Sequence, residues 1–324
     1  MEAKEITKET KEEKRLKFLK EYKNLFIVTY GALFCQMTHY AMQSKLDKNE
    51  IYTYLDEARH AILFLGQINK PIVEPEEMSF GKFQSGNPDA FRTHVPRTTP
   101  YSILLEMVVR AEGPHNSDAI KKTLEVFAES ILKQNKKMYF YATVVSKSDF
   151  NDIDHKGNPK KATPEPYWGA SLSCSGRKVS QIMLALNCLF NWHEKIAEAV
   201  TFAQNNTEKG GILEFPRIVT SEAYKHEDFT LIAHPPCSKC VQVFASCTFK
   251  PTVEIPKNAT WEFGNCAENE SISKLLDGHP YLKNFVKYCA QATGEQMPKL
   301  KTDPMQILKE LKWSGELIQF ISAR

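Results

Sequence analysis

The feature that most constrains this 324-residue chain is Pro236-Cys237-Ser238-Lys239-Cys240, because of where it stands. The apolar run at residues 229–233, Phe-Thr-Leu-Ile-Ala, has the length of a buried strand. His234-Pro235-Pro236 then turns the chain, and a helical pattern opens at Val241. Strand, turn and helix start bring two thiols together at the positive end of a helix dipole, which lowers their pKa and suits a soft cation such as zinc. Eight cysteines are too sparse for a disulfide scaffold. The first twenty residues are charged and show no secretory signal, so a reducing intracellular setting, cytoplasmic or nuclear, is expected. In that setting grouped cysteines mean metal or chemistry.

A second motif, Cys266-Ala267-Glu268, offers the missing parts. A third thiolate from Cys266 would leave tetrahedral zinc one open position for water. Glu268, two residues on and not itself a ligand, could move protons. Composition narrows the partners: 42 Lys+Arg against 39 Asp+Glu give a net charge of only +3, which predicts no dominant electrostatic footprint for nucleic acid or anionic lipid. The most apolar stretch, residues 24–42, is interrupted by Thr29, Gln36, Thr38 and His39, so it reads as a buried helix and not a membrane span.

Organisation follows from periodicity. A charged helix over residues 2–23 feeds the apolar run of residues 24–46. Asp47 and Glu50 form a capping-box-like start for a second helix that lasts until Pro71. Residues 71–100, rich in proline, read as an irregular crossover. Helical spacing resumes at residues 102–111 and again after Gly113-Pro114, with Ile120, Leu124, Phe127 and Ile131 on one stripe. The aromatic and β-branched residues 138–146 and 167–174 suggest an antiparallel strand pair around a polar loop. One long helix is expected after Gly176, reaching Val200. Short strands are expected at residues 252–255 and 260–263, a helix at 266–276, and a last amphipathic helix over about 304–321.

The two cysteine motifs together resemble the zinc-dependent cytidine deaminase-like superfamily, whose signature is His-or-Cys-x-Glu plus Pro-Cys-x-x-Cys, each at a helix N-terminus. The matches are Cys266-Ala267-Glu268, within Gly264-Asn265-Cys266-Ala267-Glu268, and Pro236-Cys237-x-x-Cys240. The resemblance covers residues 136–276 at most. It implies an α/β fold, a mixed sheet with helices on both faces in a deaminase-like three-layer arrangement, preceded by a helical N-terminal region. Residues 1–135 would be that helical region, 136–290 the zinc α/β domain and 291–324 a C-terminal helical segment. It also implies a hydrolase: zinc on Cys237, Cys240 and Cys266 would activate water, Glu268 would be catalytic, and the substrate would be a nucleobase in a nucleotide or nucleic acid.

In the family the Cys-or-His-x-Glu helix precedes Pro-Cys-x-x-Cys, whereas here the order is reversed. Either the chain is rearranged, or one motif is coincidental. The usual order would draw the third ligand from just after the strand at residues 167–174, where Cys174 stands without a glutamate two residues on. Cys174 is therefore the alternative to Cys266.

Other readings stay open beside this one. Cys237, Cys240, Cys247 and Cys266 could close a structural zinc site in a non-catalytic intracellular interaction protein whose helices bind partners, or such a protein could hold no metal, with Cys237 and Cys240 as buried free thiols. A C-x-x-C after a strand is also the thioredoxin redox arrangement, although no early β-α-β pattern accompanies it. Cys35, Cys188 and Cys289 fall within helical patterns and read as core residues. His39, His60, His193 and His234 read as structural or surface imidazoles. Asp149, Asp152 and Asp154 hint at a calcium loop, but Lys156 occupies a ligand position and no glutamate closes the motif. No Walker A, Rossmann or Gly-x-Ser-x-Gly pattern is present.

Overall fold

The computed structural model describes residues 10–78, 89–133, 139–150, 164–205, 212–216, 218–252, 254–256, 258–289 and 303–322. The chain opens with two helices, α1 (Lys11–Gln43) and α2 (Lys48–Ile68). Each starts on a capping box, Thr10 with Glu13 and Asp47 with Glu50, which satisfies backbone N–H groups that have no partner inside the helix. Helix α3 (Pro100–Glu112) begins with Thr99 capping the Ser102 N–H and Pro100 in its first turn. Gly113, at φ +86°, ends it, and α4 (Ser117–Leu132) follows. The expected helical N-terminal region is therefore present.

The first strand is shifted from its expected place. β1 spans Val144–Phe150, and Tyr139, Phe140 and Tyr141 are instead buried in the helical core. Phe26 of α1 meets the rings of Tyr139 and Phe140 edge-on, with centroids 5.5 and 4.7 Å away. Aromatic residues suited to a strand are thus used as plugs for a helix surface. β2 (Tyr167–Ala170) pairs antiparallel with β1 and ends before the predicted 174, because the Leu172 N–H turns to the Asn265 carbonyl at 3.0 Å. Met138 and the loop at 151–163, with Asp152, Asp154 and Lys156, lie outside the described residues.

The long helix expected after Gly176 is two helices. α5 (Arg177–Leu186) runs into a π turn at Asn187–Asn191, and α6 (Glu194–Asn205) starts afresh. Polar side chains cause the break: the Asn191 amide donates to the Arg97 carbonyl, and the His193 N–H donates to Ser273 Oγ at 2.6 Å.

The remaining elements are β3 (Leu213–Glu214), β4 (Val219–Glu227), β5 (Thr230–His234), α7 (Ser238–Val243), β6 (Phe244–Ala245), β7 (Thr248–Lys250), α8 (Ala267–Gly278), β8 (Lys287–Tyr288) and α9 (Pro304–Glu310). β4 is unanticipated. β5 matches the expected strand in position but not in burial, since it is the hairpin partner of β4 at a sheet edge and only Leu231 is buried. No strand forms among the described residues at 252–255 and 260–263. The extended segment lies just upstream in β7, where Pro251 and Pro256, lacking an N–H, do not interrupt the ladder. The last helix stops at Glu310, because Lys312 takes φ +66° and the chain continues as a strap whose residues Ile318 and Phe320 bond the backbone of Val95.

The main sheet runs β2-β1-β4-β5. All three of these pairings are antiparallel, and β7 adds to β4 in parallel, so the sheet is mixed. A smaller sheet orders β6-β3-β8. α8 lies on one face of the main sheet, where Ser271 bonds Ser146 and Ser148 at 2.7 and 2.8 Å. α4 meets β4 and β5, with Lys121 5.0 Å from the Tyr224 ring centroid and Glu125 accepting the Leu231 N–H. One apolar core joins α1–α4 to Val145, Trp168, Leu231 and Leu308; a second gathers around α6, α8, Cys237 and Cys240. No helix among the described residues is long and apolar enough to cross a membrane.

α8 is tied to the helical region by charge. Arg97 bonds Glu57 and Glu106 at 2.8 and 2.5 Å, Lys274 of α8 bonds Glu106 and Glu270 at 2.9 and 2.6 Å, and Glu270 accepts from Ser102 Oγ at 2.8 Å. Burial alone would raise the Glu106 pKa, but Lys274 and Arg97 outweigh it and bring it down to about 2. A depressed carboxylate pKa stabilises the folded state fully above the unfolded value near 4.5 and progressively less as pH falls through about 2. Glu106→Gln is therefore expected to cost about 1–3 kcal/mol, between an exposed and a fully buried pair. Urea midpoints of wild type and variant should stay apart above pH 4.5 and converge towards pH 2. A gap that does not narrow would remove Glu106 as the source.

Candidate metal centre

Helix starts position the three sulfurs. Cys237 is the N-cap of α7, Cys240 follows inside its first turn, and Cys266 is the N-cap of α8. The two helix starts face each other, so residues 26 or more apart in sequence meet. Cys237 Sγ is 3.5 Å from Cys240 Sγ and 3.4 Å from Cys266 Sγ, and the three sulfurs lie within 4.8 Å of one another. Zinc–sulfur bonds of about 2.3 Å in a tetrahedron put sulfurs about 3.8 Å apart, so the cluster can hold a metal ion with small adjustments. Cys237 and Cys240 are buried and Cys266 is half-buried.

Without a cation these sulfurs compete for charge. Hydrogen bonds from Cys240 and Cys266, helped by backbone N–H groups of the helix start, hold the Cys237 thiol far below its ordinary pKa. The same contacts push Cys240 and Cys266 well above theirs. Burial and the crowding of three sulfurs thus oppose more than one charge on the cluster. A divalent cation would offset the mutual repulsion and let all three ionise, so the donor set fits such an ion.

Glu268 stands in the first turn of α8, only 4% exposed. Burial pushes its carboxyl up to about 7, with the charge on Cys237 acting in the same direction, and it hydrogen-bonds Cys240. The three thiols and Glu268 line a cavity of about 400 Å³ together with Thr143, Ser171, Lys225, His234, Trp261 and Asn265. That volume lies within the roughly 300–1,000 Å³ of small-molecule sites.

Cys174 lines the same cavity but is not one of the clustered sulfurs, and burial pushes its thiol up to about 12. Cys247 stands apart, its thiol 3.7 Å from the Val219 carbonyl. Among the described residues the cluster has three members, which leaves the four-sulfur closed site without its fourth ligand. Cys35, expected in the core, is exposed, while Cys188 and Cys289 are half-buried. His39 is exposed. His60 is buried and stacks on Phe320 at 4.0 Å, and His193 accepts the Lys195 N–H through Nδ1 at the start of α6. Asp149 belongs to β1.

Sequence reasoning missed Trp261 and Lys225. Trp261 Nε1 donates to Cys266 Sγ at 3.2 Å although the side chain is 45% exposed. An aromatic five residues before Cys266, in a segment without regular structure, was the available signal. Lys225 became visible only once β4 was placed. In comparisons with protein-family models, with curated proteins and with solved structures, nothing matches the chain.

Proposed function

We propose that this protein is a zinc-dependent hydrolytic deaminase acting on a nucleobase in a nucleotide or nucleic acid. The observation that carries this reading is the buried Glu268 carboxyl lining, with three clustered thiols, a cavity of about 400 Å³. Cys237, Cys240 and Cys266 would hold the ion. When bound, zinc would supply a Lewis acid that activates water in the cavity. Glu268, buried beside the cluster, is suited to take up a proton that water gives up and pass it to the ring nitrogen of the base, and then to pass a second from the added oxygen to the amino group that leaves as ammonia. The Trp261 and His234 rings among the cavity walls suit a flat heteroaromatic substrate.

The reversed motif order is compatible with this reading in space. The Leu172 N–H, just past β2, bonds the Asn265 carbonyl, so the start of the Cys266 helix stands beside the end of the second hairpin strand. That is where the resemblance expects the Cys-x-Glu helix, and here it is supplied by residues that follow Pro236-Cys237-x-x-Cys240 in the chain. With α8 on one face of the sheet and α4 against β4 and β5, this also supports a deaminase-like three-layer arrangement.

Zinc content of the purified protein, together with ammonia release from cytosine- and adenine-bearing nucleosides, nucleotides and single strands, tests the reading. One zinc per chain is expected in wild type and in Cys174→Ser, with loss in Cys266→Ser. Loss in Cys174→Ser with retention in Cys266→Ser would transfer the third ligand to Cys174. A wild type without zinc would remove the reading altogether.

A further inference from the structure

The two residues between the paired cysteines are not idle spacers. Ser238 Oγ accepts the Ala259 N–H at 3.2 Å and reaches Asn258 Oδ1 at 3.5 Å. Lys239 Nζ donates to the Trp261 carbonyl and sits 4.8 Å from the Phe263 ring centroid. Both side chains therefore fasten the segment at 258–263 to the loop that carries Cys237 and Cys240. That segment in turn delivers the Trp261 indole to Cys266 Sγ at 3.2 Å and makes Trp261 part of the cavity wall.

We propose that Trp261 is a positioning residue of the metal centre, whose indole N–H, latched in place by Ser238 and Lys239, orients the Cys266 sulfur and stabilises it as a thiolate ligand. The inference rests on the three-sulfur site proposed above. An indole N–H can only donate, so its partner must supply a lone pair, and it is a better partner for a thiolate than for a thiol. Groups that hold a ligand from outside in this way are worth about 10- to 100-fold in metal affinity. Because Trp261 is also a wall of the cavity, a ligand that displaces the indole would alter the Cys266 sulfur, which links occupancy of the cavity to the metal.

The test uses zinc and cobalt alone on the full chain. Trp261→Phe keeps an aromatic ring but removes the N–H. In chelator competition it should bind zinc about 10- to 100-fold more weakly. With cobalt its sulfur-to-metal charge-transfer absorption should shift relative to wild type. Zinc should change the tryptophan emission of wild type, and that change should shrink in the variant, where Trp168, Trp192 and Trp313 remain. Ser238→Ala with Lys239→Met, which loosens the latch but leaves the indole intact, should weaken zinc in the same direction. A Trp261→Phe protein with unchanged affinity and an unchanged cobalt spectrum overturns the inference while the three-sulfur site stands. A wild type that takes up neither ion overturns both.

Discussion

On the reading proposed above, Glu268→Gln should retain zinc and lose about 10²- to 10⁴-fold in deamination rate, the usual contribution of a positioned acid–base group. The substitution preserves shape in a site where shape matters, since the side chain is 4% exposed and packs against Cys240. It removes the one property hydrolytic deamination needs from this position, a carboxylate that can take a proton from water and hand it on. Metal content and ammonia release, measured on the same preparation, separate the two roles. A variant that keeps zinc and turns over within tenfold of wild type would show that the proton travels by another group. A variant that loses zinc would make Glu268 part of the ligand set.

The second large effect is expected at Gly169 of β2. A Cβ there would lie 2.4 Å from the Ser271 nitrogen, 2.6 Å from the Ala267 carbonyl oxygen and 2.9 Å from Glu270 Cβ, all on α8. Two of these atoms are backbone, so no side chain can swing away, and the helix itself must move off the sheet. Gly169→Ala should therefore cost about 1–3 kcal/mol or more, as overpacking does. It should also weaken metal binding, because α8 carries Cys266 and Glu268. Gly31 in α1, where an added Cβ meets nothing within 4 Å, is the control: Gly31→Ala should stabilise by about 0.5–1 kcal/mol. Denaturant midpoints and chelator competition measure both. Equal midpoints for wild type and Gly169→Ala would mean that the helix and sheet have slack at this point.

The parts of this molecule that were legible in the sequence are those fixed by neighbours along the chain. The capping box of α2 and the helix start at Cys266 are local statements, and they appear in the structure where the residues announce them; α7 opens at Ser238, three residues before the helical pattern that begins at Val241. β4 was illegible for a physical reason. The sheet face beneath α8 is built from Ser146, Ser148, Gly169, Ser221 and Ala223, small residues that let a helix approach closely, so the strand shows no alternation of large apolar side chains. Tyr139, Phe140 and Tyr141 misled in the opposite sense, since strand-forming residues were recruited to fill a helical core. For the site, residue type and spacing suggested which sulfurs to compare. Only the fold brought Cys266 to the pair and kept Cys174 out of it. The Trp261 contact depends on the path of an irregular segment, for which the sequence carries no periodic signal.

The small-residue face under α8 has a mechanical consequence. Helix and sheet are interlocked there through backbone-distance contacts and serine hydrogen bonds, so Cys266 and Glu268 sit on a stiff foundation. Cys237 and Cys240 ride instead on a six-residue helix that follows an edge strand with one buried residue. A metal ion at this site would join a helix interlocked with the main sheet to a shorter one backed by the second core. Amide exchange on chelation should therefore quicken first around α7, while α8 stays protected. The ion would act as a clasp between the starts of α7 and α8.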